Sequence, residues 1–459
     1  MSKARATAIS PVMRRLSAYI AQAPRRALPA AVAEKTKHHV LDALAAMLSG
    51  SRLLPGTKAI SYVRTLGGAR EACVAGSRIV TTASNAALAN GMLAHADETD
   101  DSHAPSLTHP GCGIVPAALA MAEKERKNGT ALLRAVALGY DVGCRLTQAL
   151  NAYQFREDGH STHSFGPLFG AAAASGALSG LSTERQARHL LSYAAQQASG
   201  ISCWMRDEEH IEKAFDFGGM PARNGVAAAA MVAHGFTGVE DVFSGERGFF
   251  VAYGRKPDPA ELARELGKRY EIMRTNIKRW SVGSPIQAPL DSLLALIRAH
   301  GIKAAEVETL TVRVAHQGAN TVDDRNMPDI CMQHLCAIML QDGTVSFASS
   351  HDEKRMHDKR VLALRSRVAL CGDDALTRAM PSRQGIVEIR LRDGRTFRHH
   401  TKAVRGTAEN PMTRAEVDAK AYDLIAPITG KLRARKLCDA IWRLEKMDDV
   451  RKLRPLLRV

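Results

Sequence analysis

Two stretches of small residues limit the folds open to this chain more than any other feature. They are Phe169-Gly170-Ala171-Ala172-Ala173-Ala174-Ser175-Gly176-Ala177 and Gly225-Val226-Ala227-Ala228-Ala229-Ala230. Faces of this kind let helix axes approach closely, so both predict helices in a tightly packed bundle interior. They are too short and too polar-flanked to span a bilayer. Val40 to Leu48 is apolar around most of its circumference and is ended by Gly50-Ser51. Ala86 to Leu93, Pro116 to Ala122 and Leu132 to Leu138 repeat the theme. Pro116 suits the first turn of a helix, where its missing N–H costs nothing. Period-two runs of β-branched residues are scarce in this part.

The pattern changes after about Gly267. A helix is predicted over Pro285 to Ala299, a strand over Thr309 to Val314 and a helix over Pro328 to Leu340. Ile386 to Leu391, the turn Arg392-Asp393-Gly394-Arg395 and Thr396 to Arg398 read as a hairpin around Asp-Gly. From about Thr413 the chain is helical again. The expected fold class is therefore mainly α. Residues 1–267 form the first part of a helical domain, 268–406 a smaller α+β domain, and 407–459 helices that return to the first domain. A cleft between two such domains is the expected place for a ligand.

The formal net charge of +16 suits an anionic partner. The excess is spread along the chain, with only a mild cluster at Lys431, Arg433, Arg435 and Lys436. Aromatic residues at 5 % are too few for base-stacking platforms, so nucleic acid is not an expected partner. No segment approaches the apolar length of a membrane span, and none is expected. The basic, alanine-rich stretch Met1 to Pro29 lacks an apolar core of signal-peptide length. The eight cysteines contain no Cys-x-x-Cys; Cys331 and Cys336 lie closest, without the spacing of a zinc or iron–sulfur site. Reduced, buried thiols in a cytoplasmic protein are the expectation. No nucleotide-binding glycine loop and no Gly-x-Ser-x-Gly elbow is present.

Ionisable chemistry concentrates between Ala94 and Gly113. His95, Asp97, Glu98, Asp100, Asp101, His103 and His109 supply four carboxylates and three imidazoles. A site that moves protons on a substrate needs such groups. Acidic residues also cap helices and make turns, and both readings stand at this point. Four further segments group polar residues in apolar surroundings. Asp158-Gly159-His160-Ser161-Thr162-His163 precedes a helix, with Ser161 or Thr162 as its cap and His160 above an end that favours anions. Lys213 stands beside Phe215, Phe217 and the Gly218-Gly219 pair. Lys278 and Arg279 beside Trp280 make an anion seat. His334 sits on an apolar helical face, where a core histidine is the commoner outcome. Paired histidines lack the spacing of a helical zinc pair, and no metal site is expected.

The run His95-Ala96-Asp97-Glu98-Thr99-Asp100-Asp101-Ser102-His103, with His109-Pro110-Gly111 and Val115 to Ala120, resembles the signature of the MmgE/PrpD family. The likeness continues through Gly159 to Thr162, Phe169 to Ala173, Lys213 to Gly225, Ile277 to Arg279, Gly343, Arg405-Gly406 and Asn410 to Met412. That family contains 2-methylcitrate dehydratase, cis-aconitate decarboxylase and iminodisuccinate epimerase. The resemblance implies a large all-helical domain built from both chain ends and a smaller α+β lid domain. It further implies a homodimer, no metal or organic cofactor, and a small anionic polycarboxylate substrate. Carried over position by position, it makes Glu98, Asp101, His109, His160 and Lys213 catalytic. Ser102, Lys278 and His334 bind substrate, and Arg279 is added beside Lys278. The chain departs from the family pattern in having Glu98 and Ser102 at the ends of the acidic motif. Asp216 stands near a family His, Gly283 where the decarboxylases have His, and His334 where many relatives have Tyr. The expected activity is a lyase that dehydrates a hydroxylated di- or tricarboxylate, with isomerisation, epimerisation or decarboxylation of a related acid as the alternative.

Overall fold

The structure, a computed structural model, describes residues 8–459. Residues 1–7 of the basic N-terminal stretch lie outside the described part. The chain divides into two compact units. One holds the described residues up to Ala96, then Asp100–Thr275 and Val417–Val459; the other holds Asp97–Thr99 and Asn276–Glu416. Among the described residues no helix is long and apolar enough to cross a membrane.

The first unit is built from helices α1 (Pro11–Gln22), α2 (Ala30–Gly50), α3 (Leu54–Leu66), α4 (Ala83–Ala94), α5 (Pro110–Lys124) and α6 (Gly129–Ala149). It continues with α7 (Ala152–Glu157), α8 (Thr162–Leu178), α9 (Glu184–Gln196), α10 (Ile211–Ala214), α11 (Met220–Ala233) and α12 (Phe249–Tyr253). A minimal antiparallel ribbon pairs β1 (Ala72–Cys73) with β2 (Val80–Thr81). Helix α8 is the axis of this unit, and all of its residues but Ala177 are buried. Its small residues do what their pattern predicts. A Cβ built on Gly143 of α6 would lie 2.6 Å from the Gly166 carbonyl oxygen of α8, and one on Gly225 of α11 would lie 2.5 Å from the Ala171 Cβ. Any side chain there would push the helices apart and forfeit close-packed contacts.

Pro116 does not open its helix. Helix α5 begins six residues earlier, with Pro110 in its first turn, and Pro116 lies inside it. The first-turn preference for proline is satisfied by Pro110, and Pro116 costs one interior backbone bond that the buried packing of α5 outweighs.

The second unit carries α13 (Gln287–His300), α14 (His316–Val322), α15 (Met332–Asp342), α16 (Phe347–Ser350), α17 (Lys359–Arg365) and α18 (Asp374–Arg378). Its sheet contains β3 (Val307–Val314), β4 (Val368–Gly372), β5 (Gly385–Leu391) and β6 (Thr396–Thr401), in the order β4-β3-β5-β6. Strand β5 lies between β3 and β6 and is antiparallel to both, with Leu310 opposite Ile389 and Ile389 opposite Phe397. The predicted Asp-Gly hairpin joins β5 to β6, and Gly394 takes the positive φ of 89° that its turn requires. Strand β4, parallel to β3, is an addition to the sequence reading. Its Val-Ala-Leu-Cys-Gly run has no period-two alternation to reveal it. Helices α19 (Arg414–Thr429), α20 (Lys431–Trp442) and α21 (Arg454–Leu457) end the chain.

Candidate active site

The four carboxylates of the loop after α4 are all buried, at 1 to 6 % exposure, so each needs a partner. The fold gives each a different one. Asp101 accepts from the Tyr140 hydroxyl (2.5 Å), from His39 Nδ1 (2.6 Å) and from the Gly111 backbone N–H (2.9 Å). It thereby fixes the start of α5 against α2 and α6. Asp100, one residue away, places a single oxygen, Oδ1, 3.0 Å from Nδ1 of His95 and 3.0 Å from Nδ1 of His109. Burial alone would raise the Asp100 carboxyl, but the His95 and His109 rings beside it hold it well below its ordinary value. An ionised carboxylate only accepts, so both Nδ1 atoms carry protons, and His109 is left to exchange a proton at Nε2.

Around these imidazoles the helical unit collects more rings. Phe217 stacks on His95 (4.3 Å, 17°) and on His163 (3.7 Å, 7°). His163 lies 5.3 Å from His109 and His210 lies 5.2 Å from His95, centroid to centroid. Burial, and then the neighbouring His109, His95 and Lys213, drive His163 well below its usual pKa, so this ring is neutral. Phe217 occupies a π-helical turn, Phe215–Gly219, between α10 and α11. That turn meets α4 backbone to backbone, because Gly91 and Gly218 each occupy space that a Cβ on the other would need. His210, just before α10, holds a left-handed conformation with φ 62°. Single-turn π segments and left-handed non-glycine residues both concentrate at functional sites.

Lys213 projects its ammonium over two of these rings, 5.4 Å from the Phe217 centroid and 5.6 Å from that of Trp204. Asp216 is buried and accepts from Ser161 Oγ, and burial pushes its carboxyl up to about 7. Ser161 is the N-terminal cap of α8, but its hydroxyl serves Asp216 rather than the helix end. His160 faces elsewhere: it stacks on Phe155 (4.5 Å, 15°) and stands edge-on to Tyr253 (5.9 Å). Of the two histidines in that segment, His163 is the one that meets His109. Ser102 is half-buried on the loop after Asp101. His103 is fully buried, with Nδ1 2.7 Å from Ser106 Oγ and Nε2 3.1 Å from Glu271.

In the second unit, Lys278 is 3 % exposed and donates from Nζ to the Glu98 carbonyl (2.7 Å) and carboxylate (3.2 Å). Arg279 parts from it, lying over Trp280 (4.5 Å) and 3.4 Å from Asp291. Lys278 and Arg279 therefore do not form one seat. His334 is fully buried, and neither ring nitrogen has a hydrogen-bond partner among the described residues. Burial, then Arg365 and Arg355, lower it to about 4, so it is a neutral ring at pH 7.

Asp97 receives the Thr99 N–H (2.9 Å) and hydroxyl (2.6 Å), a local turn that fixes Glu98 between them. His351 Nε2 lies 2.9 Å from the Asp97 carboxylate and its Nδ1 2.9 Å from the Phe347 carbonyl. Two acceptors call for two ring protons. Although burial lowers it, the bond to Asp97 and that charge push His351 up to about 9. A folded pKa above the unfolded value of about 6.5 contributes stability fully below pH 6.5, and that contribution is lost as pH rises through about 9. Denaturant unfolding is expected to lose on the order of 3 kcal/mol over that window, and His351→Gln to flatten the loss. An unchanged slope in the variant would assign the pH dependence to other groups.

The MmgE/PrpD N-terminal domain matches residues 14–262, and the MmgE/PrpD C-terminal domain matches residues 280–446. The chain belongs to the MmgE/PrpD family. One relative is the cis-aconitate decarboxylase-like protein oryM of Aspergillus oryzae (strain ATCC 42149 / RIB 40). It is 27 % identical over 321 residues, covering 63 % of this chain and 64 % of the relative. Another is the cis-aconitate decarboxylase of Aspergillus terreus (strain NIH 2624 / FGSC A1156), 22 % identical over 468 residues, covering 94 % of this chain and 92 % of that protein.

Within this MmgE/PrpD chain the sequence reading passed over His95, Asp100 and His163, although all three lie in segments it singled out. His95 and His163 are brought together by Phe217, which is 54 or more residues away in sequence from each, and Asp100 joins them through its bonds to His95 and His109. His39 and Tyr140 gave no local signal, since each has other polar residues beside it on its helix, His38 and Asp42 in α2 and Asp141 in α6, and nothing in the spacing singles it out. His95, Asp100 and His109 also present donor atoms within 4.8 Å of one another, a two-histidine, one-carboxylate set. An ion there would have to replace the two Nδ1 protons that now bond Asp100.

Proposed function

We propose that this chain is a lyase of small polycarboxylates, and that it decarboxylates an unsaturated acid of the cis-aconitate class. The observation that carries the reading is the His95–Asp100–His109 arrangement, in which one ionised carboxylate oxygen supports two imidazoles. Asp100 stabilises a protonated His109 and fixes its tautomer, as an acid–base dyad requires. In decarboxylation the bond between carbon and a carboxylate breaks, carbon dioxide leaves, and the electron pair stays on carbon. The double bond spreads that charge toward a remaining carboxylate, where the Lys213 ammonium stabilises it. His109 Nε2–H then supplies the proton that completes the product. His163, neutral and beside both groups, offers a hydrogen bond without adding charge.

Sequence reasoning placed dehydration first. The relatives support decarboxylation ahead of it, because both carry that activity in their names. Both reactions require a proton carrier and a cation at a carboxylate, so the same residues serve either. The deciding experiment incubates the purified protein with cis-aconitate and a panel of hydroxylated di- and tricarboxylates in deuterated water, followed by NMR. Loss of carbon dioxide with one deuterium gained at carbon supports the proposal. A new conjugated double bond formed with loss of water supports dehydration, and deuterium exchange with inversion supports epimerisation. Lys213→Ala is expected to lower kcat/KM by about 10²- to 10³-fold with the fold intact; unchanged kinetics would remove Lys213 from the site.

A further inference from the structure

The second unit has a basic cavity that the proposed chemistry does not use. Its volume is about 410 Å³, and its walls include Arg279, Asp291, His399, His400, Lys402 and Arg405. Three permanent cations and two imidazoles thus face one carboxylate. That carboxylate is already engaged: Asp291 accepts from Trp280 Nε1 (3.2 Å) and from the Arg405 backbone N–H (2.9 Å), and Arg279 Nη1 lies 3.4 Å away.

The cations are held in place by separate supports. Arg405 donates from Nε (3.0 Å) and Nη2 (2.5 Å) to the Glu416 carboxylate and from Nη1 (2.7 Å) to Asn410, so it shapes the wall while Arg279 and Lys402 keep donors to offer. Arg279 lies over Trp280, with Cζ 4.5 Å from the ring centroid, and only Nη1 is spent on Asp291. His399 Nδ1 meets Ser292 Oγ (3.2 Å) and His400 Nε2 meets Gln384 Oε1 (2.8 Å), which leaves each ring a second nitrogen. Lys402 is exposed, with no side-chain partner among the described residues. His400 is held below its ordinary pKa by burial and then by Lys402, Arg398 and His399, as expected where positive potential is unbalanced. Arg279 and Arg405 each have a carboxylate partner, whereas Lys402, His399 and His400 have none among the described residues.

We propose that this cavity binds a small oxyanion of two or more negative charges, carboxylate or phosphate, on the Arg279 side of the segment whose Lys278 holds Glu98. Oxyanions of this kind take several N–H donors at once, and a planar guanidinium beside an imidazole and an ammonium supplies them. A monovalent ion would leave most of the donors unmatched.

The test is isothermal titration of the full chain with inorganic phosphate in one arm and citrate in the other. Ionic strength is held constant with sodium chloride. The fluorescence of Trp280, under Arg279, is a second readout. Saturable binding of either anion, weakened at least about tenfold by Lys402→Glu, is the expected result, and the arm that saturates names the source. His400→Gln is expected to weaken the same binding by a smaller factor. Titration without saturation in both arms overturns the proposal. So does citrate binding that Lys213→Ala abolishes and Lys402→Glu leaves unchanged, because that anion then occupies the other unit.

Discussion

Asp100→Asn is expected to lower kcat by about 10²- to 10⁴-fold while leaving the fold intact, the scale of a lost acid–base function. The size follows from the double duty of one oxygen. Asp100 Oδ1 accepts an N–H from both His95 and His109. An asparagine can turn its carbonyl toward the rings and keep both tautomers, but it brings no charge to stabilise an imidazolium. Turned the other way, its amide donates, and both rings must shift their protons from Nδ1 to Nε2. In either orientation protonated His109 becomes scarcer. The limb of the pH–kcat/KM profile that reports His109 is therefore expected to move to lower pH. Near-UV circular dichroism separates this result from misfolding. A variant with wild-type kcat and an unmoved profile would show that the dyad only packs the loop.

The sequence carries the helical unit well because its signal is local. Small residues spaced along α8 and α11 state that helices touch, and the Gly143–Gly166 approach is that statement in coordinates. The Asp-Gly turn between β5 and β6 is equally local. Strand β4 is not, because its pairing with β3 is chosen by tertiary burial. The same division runs through the site. The loop from His95 to His109 announces itself by charge, yet nothing in its spacing says which carboxylate meets which ring. Asp100 and Asp101 are neighbours with opposite fates, because the irregular loop that carries them turns one carboxylate to His95 and His109 and the other to His39, Tyr140 and the Gly111 N–H. The assignment of His160 over His163 failed to anticipate the ring stack for a related reason. Phe217 selects His163 from a π-helical turn that close contact with Gly91 positions.

Asp101→Ala, by contrast, is expected to be a folding defect. Its carboxylate holds the Tyr140 hydroxyl, His39 Nδ1–H and the Gly111 N–H, three donors contributed by α6, α2 and the first turn of α5. All three residues and Asp101 itself are buried. Alanine leaves these donors without an acceptor in a space that was shaped for the carboxylate. Each orphaned group costs about 1–3 kcal/mol. Relaxation and an entering water recover part of that, so the net loss is about 3–5 kcal/mol, with a fall in Tm on the order of 5–10 °C. Asp101→Asn keeps one acceptor oxygen and is expected to lose less. The partners explain why the loss is structural first: Tyr140 and His39 are core side chains that burial keeps neutral, with the tyrosine hydroxyl well above and the imidazole below its ordinary pKa. Thermal and denaturant unfolding of Asp101→Ala beside Asp100→Asn therefore divide two adjacent carboxylates. The first variant loses stability and carries activity down with it, and the second loses turnover at nearly constant Tm. If Asp101→Ala unfolds like the wild type and only turnover falls, then Asp101 is itself part of the chemistry.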